Sequence, residues 1–265
     1  MVSAILAAFR FHHVIMTLIL SFVCLLADRA AADEAVHLAC NDFPPLKIEH
    51  PGSNGLPGSD VDLLRELFRR ADVPLHISYL PWKRAFAAAQ EGQVNGLCSC
   101  SYAADRDADF LFSDEIGRVS VGIYSLRQSQ DASLDVNSLQ TLKDAALSGK
   151  TIGVVDGYAL EGDIDHYGIP RDLAGDDTRA LDMLVRKRYD YLYSYEAPIK
   201  FLLKYPHVGQ PSSLQLAYRE LRGSPYFLCL SRKLASSAGL LQRLNNVLAG
   251  MRKDGTIDRI LDQYR

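Results

Sequence analysis

The sequence has no run of lysine or arginine longer than Arg186-Lys187-Arg188 and no one-sided basic block, and its 29 basic residues against 32 acidic ones give a formal charge of -3. A chain that cannot neutralise a row of phosphates makes a poor nucleic-acid binder, so no nucleic-acid partner is expected. It also lacks a nucleophile elbow, a phosphate loop and a zinc motif, the signatures that most directly announce catalysis or a bound cofactor. No cofactor and no metal are expected. Nor is there an apolar run that would cross about 30 Å of hydrocarbon comfortably. The candidate, VIMTLILSFVCLLA, follows Arg10, His12 and His13, lacks a basic stop-transfer flank, and precedes small residues at Ala30 and Ala32. Residues 1–32 therefore read as a signal peptide directing export to the periplasm, with an uncleaved anchor as the alternative. With 48% hydrophobic and 23% charged residues, the 265-residue chain has ordinary globular composition and room for one large domain or two modest ones. A small molecule or a protein is the expected partner, and the chain is expected to be a monomer.

Past residue 35 the chain alternates strand-like and helix-like segments. AVHLAC reads as a strand, NDFPPLKIEHPGSNGLPG as a loop, and SDVDLLRELFRRA as a helix with Val61, Leu64, Phe68 and Ala71 on one face. Ser59 and Asp62 stand at capping-box spacing at the start of that helix. PLHISYL is a second strand, PWKRAFAAAQEG a helix with Pro81 in its first turn, and VNGLCSCS a third strand. Strands separated by helices imply parallel pairing with crossover helices. After the strand VGIYSLRQ a second unit repeats the pattern through KTIGVVDGYALEG, DDTRALDMLVRKR and YDYLYS. The strand YFLCLSR and a terminal helix follow, and the stripe Leu241, Leu244, Leu248 and Met251 is expected to pack on the first unit.

The stretch CSCSYAADRDADFLFSD leaves the carboxyl end of the third strand, where open parallel sheets bind ligands. Its single arginine, Arg106, reads as an anion clamp, because a planar guanidinium holds a carboxylate with two parallel hydrogen bonds. Ser101 would assist. The alternative is a surface arginine paired with Asp105, Asp107 or Asp109.

These segments, with RKRYDYLYSYEAPIKFLL and the tail LLQRLNNVLAGMRKDGTIDRILDQY, resemble the bacterial periplasmic solute-binding proteins of family 3, typified by amino-acid receptors of ABC importers. The resemblance implies a two-lobed α/β fold of the type II periplasmic binding protein kind, each lobe a mainly parallel sheet flanked by helices. It implies a first lobe over residues 33–118, a second over 119–220 and a return to the first over 221–265, with hinge crossings near 117–127 and 214–226. In the family, the arginine matching Arg106 binds the ligand carboxylate, the residue matching Ser101 assists it, and the aromatic matching Phe43 packs on the ligand. Ser99, on the same strand, is grouped with them. Trp82 falls near the cleft, although on a stripe with Phe86 it reads equally as core.

Two departures bear on the ligand. The turn after the first strand of the second lobe is Gly157-Tyr158-Ala159, so Ala159 lacks the hydroxyl that the family presents to the carboxylate. Tyr195 stands where amino-acid receptors place the aspartate that pairs with the α-ammonium. Without that countercharge a zwitterion is desolvated at a cost, so an ordinary α-amino acid is not the expected ligand. Tyr158 and Tyr195 would favour an aromatic, hydroxylated or cationic one. Neighbouring first and third strands would place Cys40 beside Cys98 or Cys100, and an oxidising compartment permits a bridge. A three-thiolate metal site or free thiols are the alternatives. The expected function is capture of a small carboxylate-bearing or polar solute for an ABC permease, without a chemical step. The alternatives are a sensing module for a membrane receptor and a periplasmic dehydratase-like enzyme, the latter resting on Glu161, Asp163, Asp165 and His166.

Overall fold

The computed structural model describes residues 35–53, 55–127, 135–205 and 216–264. Residues 1–32, read above as a signal peptide, lie outside the described residues, and so does the start of the second proposed hinge crossing. All the elements below belong to the unit Val36–Arg265. β1 (Val36–Cys40), α1 (Ser59–Arg70), β2 (Leu75–Tyr79), α2 (Trp82–Gln90) and β3 (Gly96–Ser101) form the expected alternating unit. β1 pairs in parallel with both β2 and β3. Two strands follow differently: β4 (Phe110–Phe112) and β5 (Gly117–Leu126) have no helix between them. The second unit comprises α3 (Leu139–Leu147), β6 (Ile152–Val155), α4 (Leu160–Tyr167), β7 (Asp172–Ala174), α5 (Asp177–Val185), β8 (Tyr191–Tyr195) and α6 (Glu196–Lys204), with β6 parallel to β7 and β8.

The two parallel nuclei are joined by β9 (Leu216–Ser231), which runs antiparallel to β3, β4 and β5, while β5 runs antiparallel to β8. The result is one sheet in the order β2-β1-β3-β9-β5-β8-β6-β7, with β4 on β9. β9 is longer than the strand expected from YFLCLSR because its first half pairs with β5 while carrying exposed Arg219, Glu220 and Arg222. Backbone pairing holds that half in the sheet, so it needs no apolar face. The terminal helices α7 (Ser237–Lys253) and α8 (Thr256–Asp262) close the first half. Leu244, Leu248 and Met251 are fully buried and α7 packs on α1, β4 and β9, while Leu241 is only half-buried at the edge of the stripe.

α1 starts otherwise than its sequence implies. Ser59 lies inside the helix, not at its cap, and no side chain caps the first turn. Instead the N–H groups of Ser59 and Asp60 donate to the carbonyls of Pro45 and Leu46, at 3.2 and 2.9 Å. That close approach requires Gly58, at φ 109°, since a Cβ there would lie 2.3 Å from the Leu46 oxygen. The helix start therefore clamps the loop that carries Phe43 and Lys47.

Two disulfides fix β3. The parallel register places Leu38 opposite Gly96 and Ala39 opposite Leu97, which brings Cys40 beside Cys98; they are bridged with Cα atoms 5.1 Å apart. A second bridge, which strand adjacency within the first unit does not reveal, joins Cys100 to Cys229 on β9 at a Cα separation of 6.2 Å. All four of these cysteines are consumed, so neither the thiolate site nor the free thiols remain.

Candidate ligand-binding site

Arg106 ends a single 3-10 turn, Ala104–Arg106, just beyond β3, and is 5% exposed. Its guanidinium donates from Nη1 to the Ser101 carbonyl at 3.0 Å and from Nη2 to the Gly157 carbonyl at 3.1 Å. It lies over the rings of Trp82 and Phe86, 5.4 and 5.2 Å from their centroids. The surface-pairing alternative fails: Asp107 accepts from Tyr102, Asp109 accepts from Gln90, and Arg106 forms no ion pair among the described residues. Burial acts against its positive charge, with Tyr195 and Asp105 opposing that effect in part.

The facing wall is the turn after β6. Gly157 has φ 79°, and a Cβ there would crowd Trp82 and Lys83 at 3.1 to 3.2 Å. Trp82 Nε1 donates to the Gly157 carbonyl at 2.7 Å, and Lys83 pairs with Asp156 at 2.9 Å. Trp82 thus stands at the cleft, its ring also against Phe86 and Tyr158. Tyr195, at the end of β8, shares a 2.8 Å hydrogen bond with Ser101 across the gap. Phe43 meets Tyr158 and Tyr195 edge-on, with centroids 6.2 and 5.7 Å away. Arg106, Ser101, Ser99, Phe43, Trp82, Tyr158, Ala159 and Tyr195 all line one cavity of about 40 Å³.

Lys47 also lines this cavity and was not singled out from the sequence. Its Nζ donates to Ser99 Oγ at 2.8 Å, and Ser99 Oγ donates to Asp60 Oδ2 at 3.0 Å. Tyr226 donates to the other Asp60 oxygen at 2.8 Å. Burial pushes Asp60 up to about 6 and pulls Lys47 down to about 8, each offset in part by the other's charge. A second buried carboxyl, Asp177, accepts from Tyr158 at 2.7 Å and from Ser194 at 3.3 Å.

Burial raises the Asp177 carboxyl from 3.8 to about 6. A raised folded-state value means that the folded chain holds the proton longer than the unfolded chain. Stability is therefore highest below the unfolded value and declines as pH rises through about 6. Asp177→Asn keeps an acceptor for Tyr158 without the charge. Urea denaturation at pH 4.5 and 8 should show the variant losing less stability between them than the wild type, by up to about 2 kcal/mol. Asp60 titrates over the same window, so some slope should persist.

The acidic group after this turn has structural partners. Glu161 accepts from Gly157 N–H and pairs with Arg171, Asp165 pairs with Arg171, and Asp163 accepts from Tyr193 and pairs with Arg222.

The profile of the bacterial extracellular solute-binding proteins, family 3, matches residues 36–265. Similar solved structures include a histidine kinase sensor domain with similarity to periplasmic binding proteins, at 20% identity and TM-score 0.74 over 87% of this chain and 95% of that one. The arginine-, lysine-, histidine-binding protein ArtJ from Geobacillus stearothermophilus is 19% identical, with TM-score 0.70 over 87% and 94%. An ancestral amino acid-binding protein, AncCDT-1, described as a precursor of cyclohexadienyl dehydratase, is 18% identical, with TM-score 0.69 over 89% and 97%. At these identities the likeness is one of fold: the type II periplasmic binding protein architecture. Comparison with curated proteins gives no significant match.

Proposed function

Because the chain belongs to family 3 of the bacterial extracellular solute-binding proteins, we propose that it captures a small carboxylate-bearing solute between its lobes and performs no chemistry on it. The observation that carries this is Arg106: a buried cation at the cleft whose hydrogen bonds go to two neutral carbonyls, one from each wall. A carboxylate would supply the charge-matched, two-oxygen acceptor that a guanidinium favours. Arg106 is the clamp, Ser101 and Ser99 line the carboxylate end, and Phe43, Trp82, Tyr158, Ala159 and Tyr195 shape the remainder. Glu161, Asp163 and Asp165 are each paired with an arginine, which weighs against the dehydratase-like alternative. Export to the periplasm through residues 1–32 and delivery by a monomer to an ABC permease complete the proposal. The likeness to a histidine kinase sensor domain supports a second destination for the same bound solute, a membrane receptor.

Among the described residues no aspartate or glutamate lines the cavity, so an α-ammonium would have no countercharge there. A thermal-shift panel tests this. A ligand at 100 times its dissociation constant adds about 2.7 kcal/mol, enough to be seen. Common α-amino acids should give no shift, and carboxylates without an ammonium should stabilise the protein. Tyr195→Asp should move the preference toward ammonium-bearing ligands, only in part because Ala159 still lacks a hydroxyl. Micromolar binding of arginine, histidine or glutamine by the wild type would contradict this account of the cleft.

A further inference from the structure

The cavity walls carry two cations, and only Arg106 is used above. Lys47 is 4% exposed, and its Nζ sits 5.1 Å from the Phe43 ring centroid, donates to Ser99 Oγ, and forms no ion pair with any described carboxylate. An ammonium has three N–H donors, and burying one away from an anionic partner is costly. Asp60 lies beyond Ser99, and both of its oxygens already accept from hydroxyls, those of Ser99 and Tyr226. It offsets the burial of Lys47 through space without occupying its remaining donors.

The two cations are anchored two residues apart on the same strand. Lys47 is bonded to Ser99 and Arg106 to the carbonyl of Ser101. Two residues of extended chain span roughly 7 Å. That distance suits the ends of a four- or five-carbon chain bearing an anion at each. Resting on the carboxylate reading of Arg106, we infer that the site takes a small dicarboxylate, with one carboxylate on Arg106 and the other on Lys47. Phe43 and Tyr195 would flank the methylene carbons between them. The second carboxylate would meet a desolvated ammonium, so Lys47 sets the preference for a diacid over a monoacid.

Calorimetry with succinate, glutarate, monomethyl succinate and butyrate tests this on the wild-type chain. At least one diacid should bind about 10- to 100-fold more tightly than the half ester and butyrate, the range expected for one charge-assisted contact. Lys47→Met should remove that preference, read as the ratio of diacid to half-ester affinity measured on the variant itself, with the melting temperature recorded to confirm that the variant is folded. The wild-type comparison stands whether or not the variant folds. If diacids and half ester bind the wild type equally, and Arg106→Lys weakens both, the dicarboxylate inference is overturned while carboxylate capture stands. If none of the four binds, both fail.

Discussion

Replacing Arg106 with lysine is expected to weaken carboxylate binding by roughly 1.5 to 3 kcal/mol, about 10- to 150-fold. Lysine keeps the charge and loses the fork. One ammonium cannot reproduce a guanidinium that reaches the Ser101 carbonyl, the Gly157 carbonyl and a ligand while lying over Trp82 and Phe86. The unliganded protein should change less, by about 1 kcal/mol or roughly 2–4 °C in melting temperature, because the lost contacts are to neutral acceptors. Isothermal calorimetry and a thermal melt on the same preparation separate the two effects. Equal affinity for wild type and variant would remove Arg106 from the site.

The second large effect concerns the bridges. Cys40 and Cys98 are 58 residues apart and Cys100 and Cys229 are 129 apart, so each closes a long loop. Constraining the unfolded chain in this way is worth about 4 kcal/mol per bridge in the chain-entropy account, with 2–4 the usual outcome. The double variant Cys40→Ser with Cys98→Ser should therefore melt roughly 5–15 °C lower, and reductant should lower the wild type further by opening both bridges. Cys100 also lines the cavity, so loss of its bridge should weaken ligand binding in addition. Non-reducing peptide mapping of protein from an oxidising compartment should recover the pairs Cys40–Cys98 and Cys100–Cys229. Four free thiols there would refute the arrangement.

The sequence made the local units legible and left the long-range ones unread. Periodicity located Val61, Leu64 and Phe68 on the buried face of α1, and strand-end logic placed Arg106 beyond β3. Cys40 could be paired with its neighbour because β1 and β3 belong to one crossover unit. Cys229 could not, because its position beside Cys100 depends on β9 returning antiparallel from the far end of the chain. Lys47 was missed for a related reason. It sits in a loop rich in proline and glycine that looks solvated, and its burial arises only when Gly58 lets α1 close on Pro45 and Leu46. Asp60 likewise looks like an ordinary acid in a first helical turn, and only the fold brings Ser99 and Tyr226 to it. A lysine in a loop two residues after a proline pair, followed by a glycine-led helix start, is the faint local signal that remains.

β3 alternates two duties residue by residue. Cys98 and Cys100 tie the strand to its two neighbours, while Ser99 and Ser101 hold Lys47, Asp60 and Tyr195. An irregularity in the pairing with β9 between Leu97 and Cys100 puts Cys98 in the core that holds Leu38 and Leu64 and Cys100 in the one that holds Ala39 and Leu97, so both the order and the number of these residues set what each one reaches. An insertion or deletion of a single codon within this segment would therefore send serines to the bridging positions and cysteines to the network, losing frame and wall together. Within these four residues length change is closed and only substitution remains, and the turn that follows is bound in the same way because it holds Arg106 against the Ser101 carbonyl.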